Sequence, residues 1–478
     1  MRTDDRPGRW IEDWDPENET FWQETGRKVA RTNLAISMFT EHLGFSLWVV
    51  WTVVVLNLGH AGIDLSVSQL FVLTLLPNLV GSLLRIPYAF AVPRLGGRAC
   101  TTISSLMLLV PAGLLAWVVP SHWLAHESHH VQMWILGLCA ASSGVGGGNF
   151  ASSMANISYF YPERCKGWAL GLNAAGGNLG VATAQLLVPL VVIIGIPATT
   201  IKLAKHHVHL AYAGYMWLPL IVVGAVLAWT RMNSLTQARA DKEPYLAALR
   251  HRPTWVLSFL YVGTFGSFIG FSFAMPLVIK NSFPAFLDGH PFIANYLAGL
   301  GFLGALVGSS SRPIGGWLAD RVGGARVTLA SFCGMAAATG VAIGAVERHA
   351  FVLFLIAFQF LFVLSGIGNG STYKMIASAY GPSVDDKRQA AATIGIAGAV
   401  GALGGVVVQV VIRQSSLQVS ALETAAKTSA AKAAIAASHA AWSVPALVSF
   451  LASYAVFAGV VWAVYIRRPA VSHALATP

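Results

Sequence analysis

The chain has 478 residues, 55% of them hydrophobic and only 11% charged, with a mean hydropathy of +0.62. Soluble domains carry about 25% charged residues, so the composition excludes an ordinary soluble domain and describes a protein that crosses the lipid bilayer many times. The net charge of +11 would suit a nucleic-acid binder, but Lys and Arg alternate from loop to loop instead of gathering on one face, which argues against nucleic acid as a partner.

Residues 1–33 carry eight acidic and six basic side chains and no apolar run, so they read as a cytoplasmic arm and not as a signal peptide. Apolar stretches long enough to cross ~30 Å of hydrocarbon then follow at 34–58, 68–91, 99–119, 131–160, 168–194 and 210–230. The polar residues 231–253 form a cytoplasmic linker, and six more spans are predicted at 254–281, 292–319, 325–346, 350–379, 389–413 and 440–466, before a tail at 467–478. The expected fold is an all-α membrane protein of twelve transmembrane helices in two six-helix bundles, 34–230 and 254–466. Of the 31 Lys and Arg residues, 21 fall in the termini and the loops on their side, seven on the opposite side and three within spans. The positive-inside rule therefore puts both termini in the cytoplasm.

The two halves repeat one another. Gly144, Gly146 and Gly148 recur 222 positions later as Gly366, Gly368 and Gly370, and Gly171, Gly177, Leu179, Gly180 and Gln185 recur 224 positions later as Gly395, Gly401, Leu403, Gly404 and Gln409. Arg85 stands 11 residues before Gly96–Gly97, and Arg312 stands 11 before Gly323–Gly324. This is an internal duplication with an arginine and a glycine-lined helix pair in each half.

An arginine at a helix centre costs on the order of 3 kcal/mol on insertion scales, so it belongs in the bundle interior or a water-filled cavity. Arg85 and Arg312 lie eight or nine residues from the ends of their spans, ~13 Å deep at 1.5 Å per residue, too deep for easy snorkelling. Neither span carries an acid at that depth, so the pair reads as an anion site on the pseudo-two-fold axis; the alternative is that each arginine ties helices together through carbonyls. Guanidinium suits a planar oxyanion because its fork donates two parallel hydrogen bonds and is not deprotonated. Most of the glycines serve close helix packing, and Asn149, Asn156, Asn173 and Asn178 add neutral donors.

Two kinds of motif carry a family resemblance. Gly316–Trp–Leu–Ala–Asp320–Arg321–Val–Gly–Gly324–Ala–Arg326, with its degenerate partner Val92–Pro–Arg94–Leu–Gly–Gly–Arg98, resembles the loop signature of the major facilitator superfamily. Residues 147–162 (GGNFASSMANISYFYP), Ala169–Leu–Gly171–Leu–Asn173 and Gly177–Asn–Leu–Gly180 are similar to the nitrate signature of its nitrate/nitrite porter (NarK-type) family, and Gly368–Asn–Gly370–Ser371–Thr–Tyr–Lys374 is similar to the second copy. Residues 84–88, 261–271 and Phe21–Trp22–Gln23 also resemble that family. The resemblance implies an alternating-access carrier of nitrate, nitrite or both in a bacterial cytoplasmic (inner) membrane, expected to act as a monomer. It implies Arg85 and Arg312 as an anion clamp, Tyr261 and Phe265 as its walls, Asn173 as a donor, and Gly144, Gly171 and Ser371 as further substrate-binding positions.

The departures bear on coupling. Lys374 stands where glutamine is common, Val145 where several members have phenylalanine, and Gly398 where serine is frequent, while span one carries Glu41–His42 and the loop Val384–Gln389 is short. An acidic residue in span one and a short loop resemble the proton-coupled subgroup, so Glu41, His42 and Lys374 are the proton-coupling candidates. The leading expectation is nitrate uptake by proton symport, with nitrate/nitrite antiport as the alternative. A membrane-embedded anion sensor is less well supported, because no soluble output domain is appended. An enzyme is less well supported still, because no nucleophile–base constellation or cofactor motif lies within a span; no enzymatic activity and no cofactor are expected. His126–Glu127–Ser128–His129–His130 matches H-E-x-x-H but is read as a solvated external loop without a third ligand, and His206, His207 and His209 as adventitious at most. No metal is therefore expected, and the scattered Cys100, Cys139, Cys165 and Cys333 indicate neither a disulfide nor a metal site.

Overall fold

A computed structural model describes residues 9–194, 209–238, 243–380, 383–425 and 442–467. Among the described residues, the helices group into twelve rods, consistent with the expected twelve spans. Spans 1 to 6 are Glu19–Asn57, Val67–Ala89, Ala91–Trp117, a broken rod made of His129–Ser142, Val145–Gly148 and Phe150–Phe160, then Glu163–Ile194 and Tyr212–Arg231. Spans 7 to 12 are Arg252–Ser282, Phe302–Val322, Gly324–Glu347, Phe351–Ser378, Val384–Ala425 and Val444–Ile466. Ten of these rods are long and apolar enough to cross a membrane by themselves. The other two are span 4, interrupted around Ser143–Gly144 and at Asn149, and span 8, made polar by Ser309, Ser310, Ser311, Arg312, Asp320 and Arg321.

Boundaries differ from the sequence reading where local chemistry intervenes. Span 1 begins at Glu19 and not at 34, because Asn18 caps it by accepting from Phe21 N at 3.1 Å and the helix then runs unbroken through a π-helical turn at Trp22–Gly26. Span 8 begins at Phe302 and not at 292. Pro284 and Pro291 each open a short helix, and positive φ at Ala298, Gly299 and Leu300 breaks the chain before the span starts. His129, read as part of a loop, begins a helix capped by Ser128. Span 11 runs on to Ala425, past its predicted end at 413; residues 426–441, like His206, His207 and the 468–478 tail, lie outside the described residues.

The duplication is visible in the backbone. Gly96 after span 2 has φ 79° and Gly323 after span 8 has φ 91°, left-handed values that favour glycine. Glycines also bring helix backbones together. A Cβ on Gly146 would collide with the Gly44 carbonyl, one on Gly180 with the His42 carbonyl, and one on Gly370 with the Arg312 carbonyl. Between the halves, span 2 packs on span 11 and span 5 on span 8.

The basic face of the first bundle is strapped by the arm. Trp10–Ile11 pairs as a parallel strand with Ser234–Leu235, Gln237 Nε2 donates to Trp14 O at 2.6 Å, and Trp14 Nε1 donates to Tyr159 O at 3.1 Å. Trp14 is 2% exposed and meets Phe21 and Phe160 edge-on. Gln23 and Arg164 are bonded to the Glu19 carboxyl at 2.6 and 2.5 Å.

Gly146→Ala should lower the melting temperature of the detergent-solubilised protein by several degrees, because spans 1 and 4 must separate to admit the methyl. Gly167→Ala, exposed and with nothing within 4 Å of its Cβ, should leave it unchanged or raise it, since alanine is favoured over glycine in a helix by roughly 0.5–1 kcal/mol. Equal behaviour of the two variants would refute the packing role of Gly146.

Candidate functional site

Span 2 carries Arg85 to the centre of the molecule, where it is fully buried. Its Nε donates to Gly147 O of span 4 at 3.1 Å and its Nη1 to Gly398 O of span 11 at 2.7 Å, so one side chain joins three helices from both halves. The break in span 4 and the absence of a side chain at Gly398 let backbone carbonyls reach it. Its Nη2 has no hydrogen-bond partner. Arg312 of span 8 is 4% exposed; its Nη2 donates to Tyr261 Oη at 3.0 Å, and its Nη1 has no hydrogen-bond partner.

The two guanidinium groups face the same pair of rings. Arg85 Cζ lies 5.1 Å from the centres of both Phe150 and Phe265, and Arg312 Cζ lies 5.9 and 5.5 Å from them. Phe150 and Phe265 are parallel, 6.1 Å apart at 7°, and Tyr261 stacks on Phe265 at 5.2 Å and 8°. Tyr261 directly precedes, and Phe265 lies within, a π-helical turn at Val262–Gly266, a local widening that recurs at functional sites, and Gly401 and Gly404 of span 11 leave room for Tyr261 and Val262. Trp48 contributes a third face to Arg85 at 5.4 Å. Cation–π contacts return about 0.5–2 kcal/mol each, which eases burial of the cations without cancelling either charge. The site therefore presents two positive groups, each with a buried N–H free to donate.

Glu41 of span 1 adds one titratable carboxyl group. It is 2% exposed, its Oε1 accepts from Asn149 Nδ2 at 2.9 Å, and its Oε2 has no hydrogen-bond partner. Ser152 Oγ donates to Asn149 Oδ1 at 2.8 Å, which turns the amide nitrogen toward Glu41. Asn149 directly precedes Phe150, and Glu41 is within electrostatic reach of Arg85. Asn173 joins the same cluster from span 5 by donating to Ser153 Oγ at 2.8 Å, while Ser153 Oγ lies 2.8 Å from Ser37 Oγ.

Arg85, Arg312, Tyr261 and Phe265 thus meet in one place, with Glu41 and Asn173 in a polar cluster beside them. The remaining candidates lie elsewhere. His42 Nδ1 is 3.0 Å from Gly176 O of span 5, and Lys374 pairs with Asp320 at 2.7 Å with both side chains about half exposed. Ser371 shares a 2.7 Å hydrogen bond with Thr328 of span 9; Gly144 abuts Val80 and Gly81; Gly171 has open space around it. Sequence reasoning passed over Phe150, Trp48 and the carbonyls of Gly147 and Gly398. Phe150 lies within the quoted signature, directly after Asn149; nothing in the sequence marks a carbonyl as an arginine's partner.

A family model of the Major Facilitator Superfamily matches residues 33–409. The protein named nitrate/nitrite transporter NarU of Salmonella typhimurium is 36% identical over 423 residues, covering 83% of this chain and 87% of its own. The chain belongs to the nitrate/nitrite porter (NarK-type) family of the major facilitator superfamily. A second relative, named a probable nitrate/nitrite antiporter NarK2 of Thermus thermophilus, is 37% identical over 409 residues, covering 83% of this chain and 88% of its own. Among solved structures, a D-xylose–proton symporter superposes with a TM-score of 0.62 at 13% identity, over 89% of this chain and 97% of the other. A bacterial homologue of the lysosomal transporter Spinster in an inward-facing, occupied conformation superposes with a TM-score of 0.60 at 15% identity, over 90% and 95%. At those identities the structures establish the fold alone. This porter-family member has two buried arginines and one buried carboxylate at the meeting of its halves.

Phe265→Ala removes the ring that both guanidiniums face and should destabilise the protein by roughly 3 kcal/mol or more, read as a fall in the melting temperature of the solubilised protein. An unchanged melting temperature would sink the shared-ring arrangement.

Proposed function

We propose that the chain carries nitrate, nitrite or both across a bacterial cytoplasmic membrane by alternating access, with both termini in the cytoplasm and the anion held between Arg85 and Arg312. The observation that carries this reading is the pair of buried guanidinium groups against the same Phe150–Phe265 stack, each with one Nη that no protein acceptor takes. A small planar oxyanion accepts from both forks at once, and the flat rings bound its faces. The names of the relatives NarU and NarK2 support nitrate and nitrite as the substrates.

For coupling, proton symport is the leading reading, with Glu41 as the proton carrier. With Glu41 ionised, one anion brings the two arginines and the carboxylate to zero net charge. With Glu41 protonated, the site is more positive and binds the anion more tightly, so proton and anion favour one another's binding, and this linkage is reciprocal. One proton makes the cycle electroneutral. A second, for which His42 is the candidate, would let the membrane potential drive uptake at ~2.3 kcal/mol per charge per 100 mV. Lys374, engaged by Asp320 at 2.7 Å, is the weakest of the three candidates. The second reading is nitrate/nitrite exchange, favoured by the excess positive charge of the empty site, which makes reorientation without an anion costly.

Nitrate entry into proteoliposomes, with and without internal nitrite and with and without an imposed pH gradient, separates the two. Symport predicts proton-driven entry into nitrite-free vesicles that Glu41→Gln abolishes; a requirement for internal nitrite with indifference to pH establishes exchange. In either case Arg85→Lys and Arg312→Lys keep the charge and lose the fork. Each should reduce flux at least tenfold, in line with ~1.5–3 kcal/mol for a charged hydrogen bond, and near-normal flux in either would overturn the clamp.

A further inference from the structure

Spans 2 and 11 run antiparallel in matched register through the depth of the molecule. Arg85 is bonded to Gly398; seven residues further out on each helix, Asn78 sits against Gly405, where a Cβ would lie 2.8 Å from Asn78 Nδ2. At the outer end Arg413 Nε donates to Ser68 Oγ at 3.0 Å. Seven residues are two helical turns, ~10.5 Å, so Asn78 lies on the same face of span 2 as Arg85, between the arginine pair and the external mouth.

Asn78 is fully buried, and neither its Nδ2 nor its Oδ1 has a hydrogen-bond partner. A buried amide left so is costly, and its polar neighbours are committed elsewhere. Trp48 Nε1 donates to Pro77 O at 2.7 Å, Ser82 Oγ to the Asn78 main-chain carbonyl at 2.7 Å, and Thr74 Oγ1 to Phe71 O at 3.0 Å. Gln409, four residues beyond Gly405, also leaves its Oε1 without a partner. The duplication does not reproduce this residue: at the offset that relates Arg85 to Arg312, Asn78 corresponds to the buried Ala305. The clamp is two-sided; this amide is one-sided and lies outside it.

We propose that Asn78 forms a transit site for a small inorganic oxyanion on its way between the external mouth and the arginine pair, the amide Nδ2 donating to the partly dehydrated anion. The inference rests on the anion-carrier reading above. A neutral single donor holds an oxyanion more weakly than a guanidinium fork, which suits a station that must be left as readily as it is entered.

The test uses the full-length purified protein and nitrate. In proteoliposomes, Asn78→Leu should slow nitrate–nitrate exchange by about tenfold, the weight of one hydrogen bond at a barrier. Calorimetric titration with nitrate should give the same Kd as the parent within about twofold, because the arginine pair is intact. Asn78→Ser, which keeps a donor, should exchange within about threefold of the parent. The proposal is overturned if Asn78→Leu exchanges at the parental rate, if it loses binding in step with exchange, or if Asn78→Ser is as slow as Asn78→Leu. A parent chain that moves no nitrate overturns both this proposal and the carrier reading, whereas normal parental flux with an indifferent Asn78 overturns the transit site alone.

Discussion

Two guanidinium charges are buried in the apolar interior without a carboxylate bonded to either, and much of the surrounding architecture accommodates them. Arg85 is steadied by carbonyls that protrude where span 4 breaks and where span 11 has no side chain, and both cations rest against aromatic faces. These devices stabilise the side chains while leaving the charge in place. Had either arginine been given an ion-pair partner, the interior would be easier to form and would have nothing left to offer an anion. The glycine-rich packing serves the same end, because only closely approaching helices bring carbonyls and rings within reach of two side chains on opposite halves.

The duplication is faithful in its scaffold and unfaithful in its polar chemistry. Gly96 and Gly323 turn the chain alike, and Arg85 and Arg312 occupy equivalent places. Yet the carboxylate, the Asn149–Ser152–Ser153 cluster around it and the orphaned Asn78 all belong to the first half, whereas Tyr261 and Phe265 belong to the second. The pair of cations is near-symmetric, but its surroundings are not: the carboxyl group and its amide partner come from the first bundle, and the rings come from both, Phe150 and Trp48 from the first and Tyr261 and Phe265 from the second.

Much of this was legible in the sequence because hydropathy and spacing are local signals. Ten rods are apolar enough to declare themselves, and the arginine–glycine spacing exposes the repeat. The errors at spans 1 and 8 share a cause: an Asn18 cap and a run of prolines with left-handed residues set helix starts more strongly than hydrophobicity does. At the site, Arg85, Arg312, Tyr261 and Phe265 were identifiable by type and motif. Their carbonyl partners were not, since Gly147 and Gly398 contribute only backbone. Lys374 shows the converse limit: spacing alone does not say whether an amine within an apolar run faces inward, and here its four-carbon stem reaches Asp320 at 2.7 Å with both side chains about half exposed.

The strand pairing of Trp10–Ile11 with Ser234–Leu235 has a mechanical consequence. It fastens the start of the inter-bundle connector to the first bundle, so that the connector's effective length is that of the residues after 238. Most of those form the helix Glu243–Arg250, which packs on span 11 and whose Tyr245 Oη is bonded to Ala89 O of span 2 at 2.9 Å. The described parts of the connector are thus both docked, Ser234–Leu235 on the N-terminal arm and Glu243–Arg250 across spans 2 and 11, so the arm takes part in seating the segment that joins the two bundles.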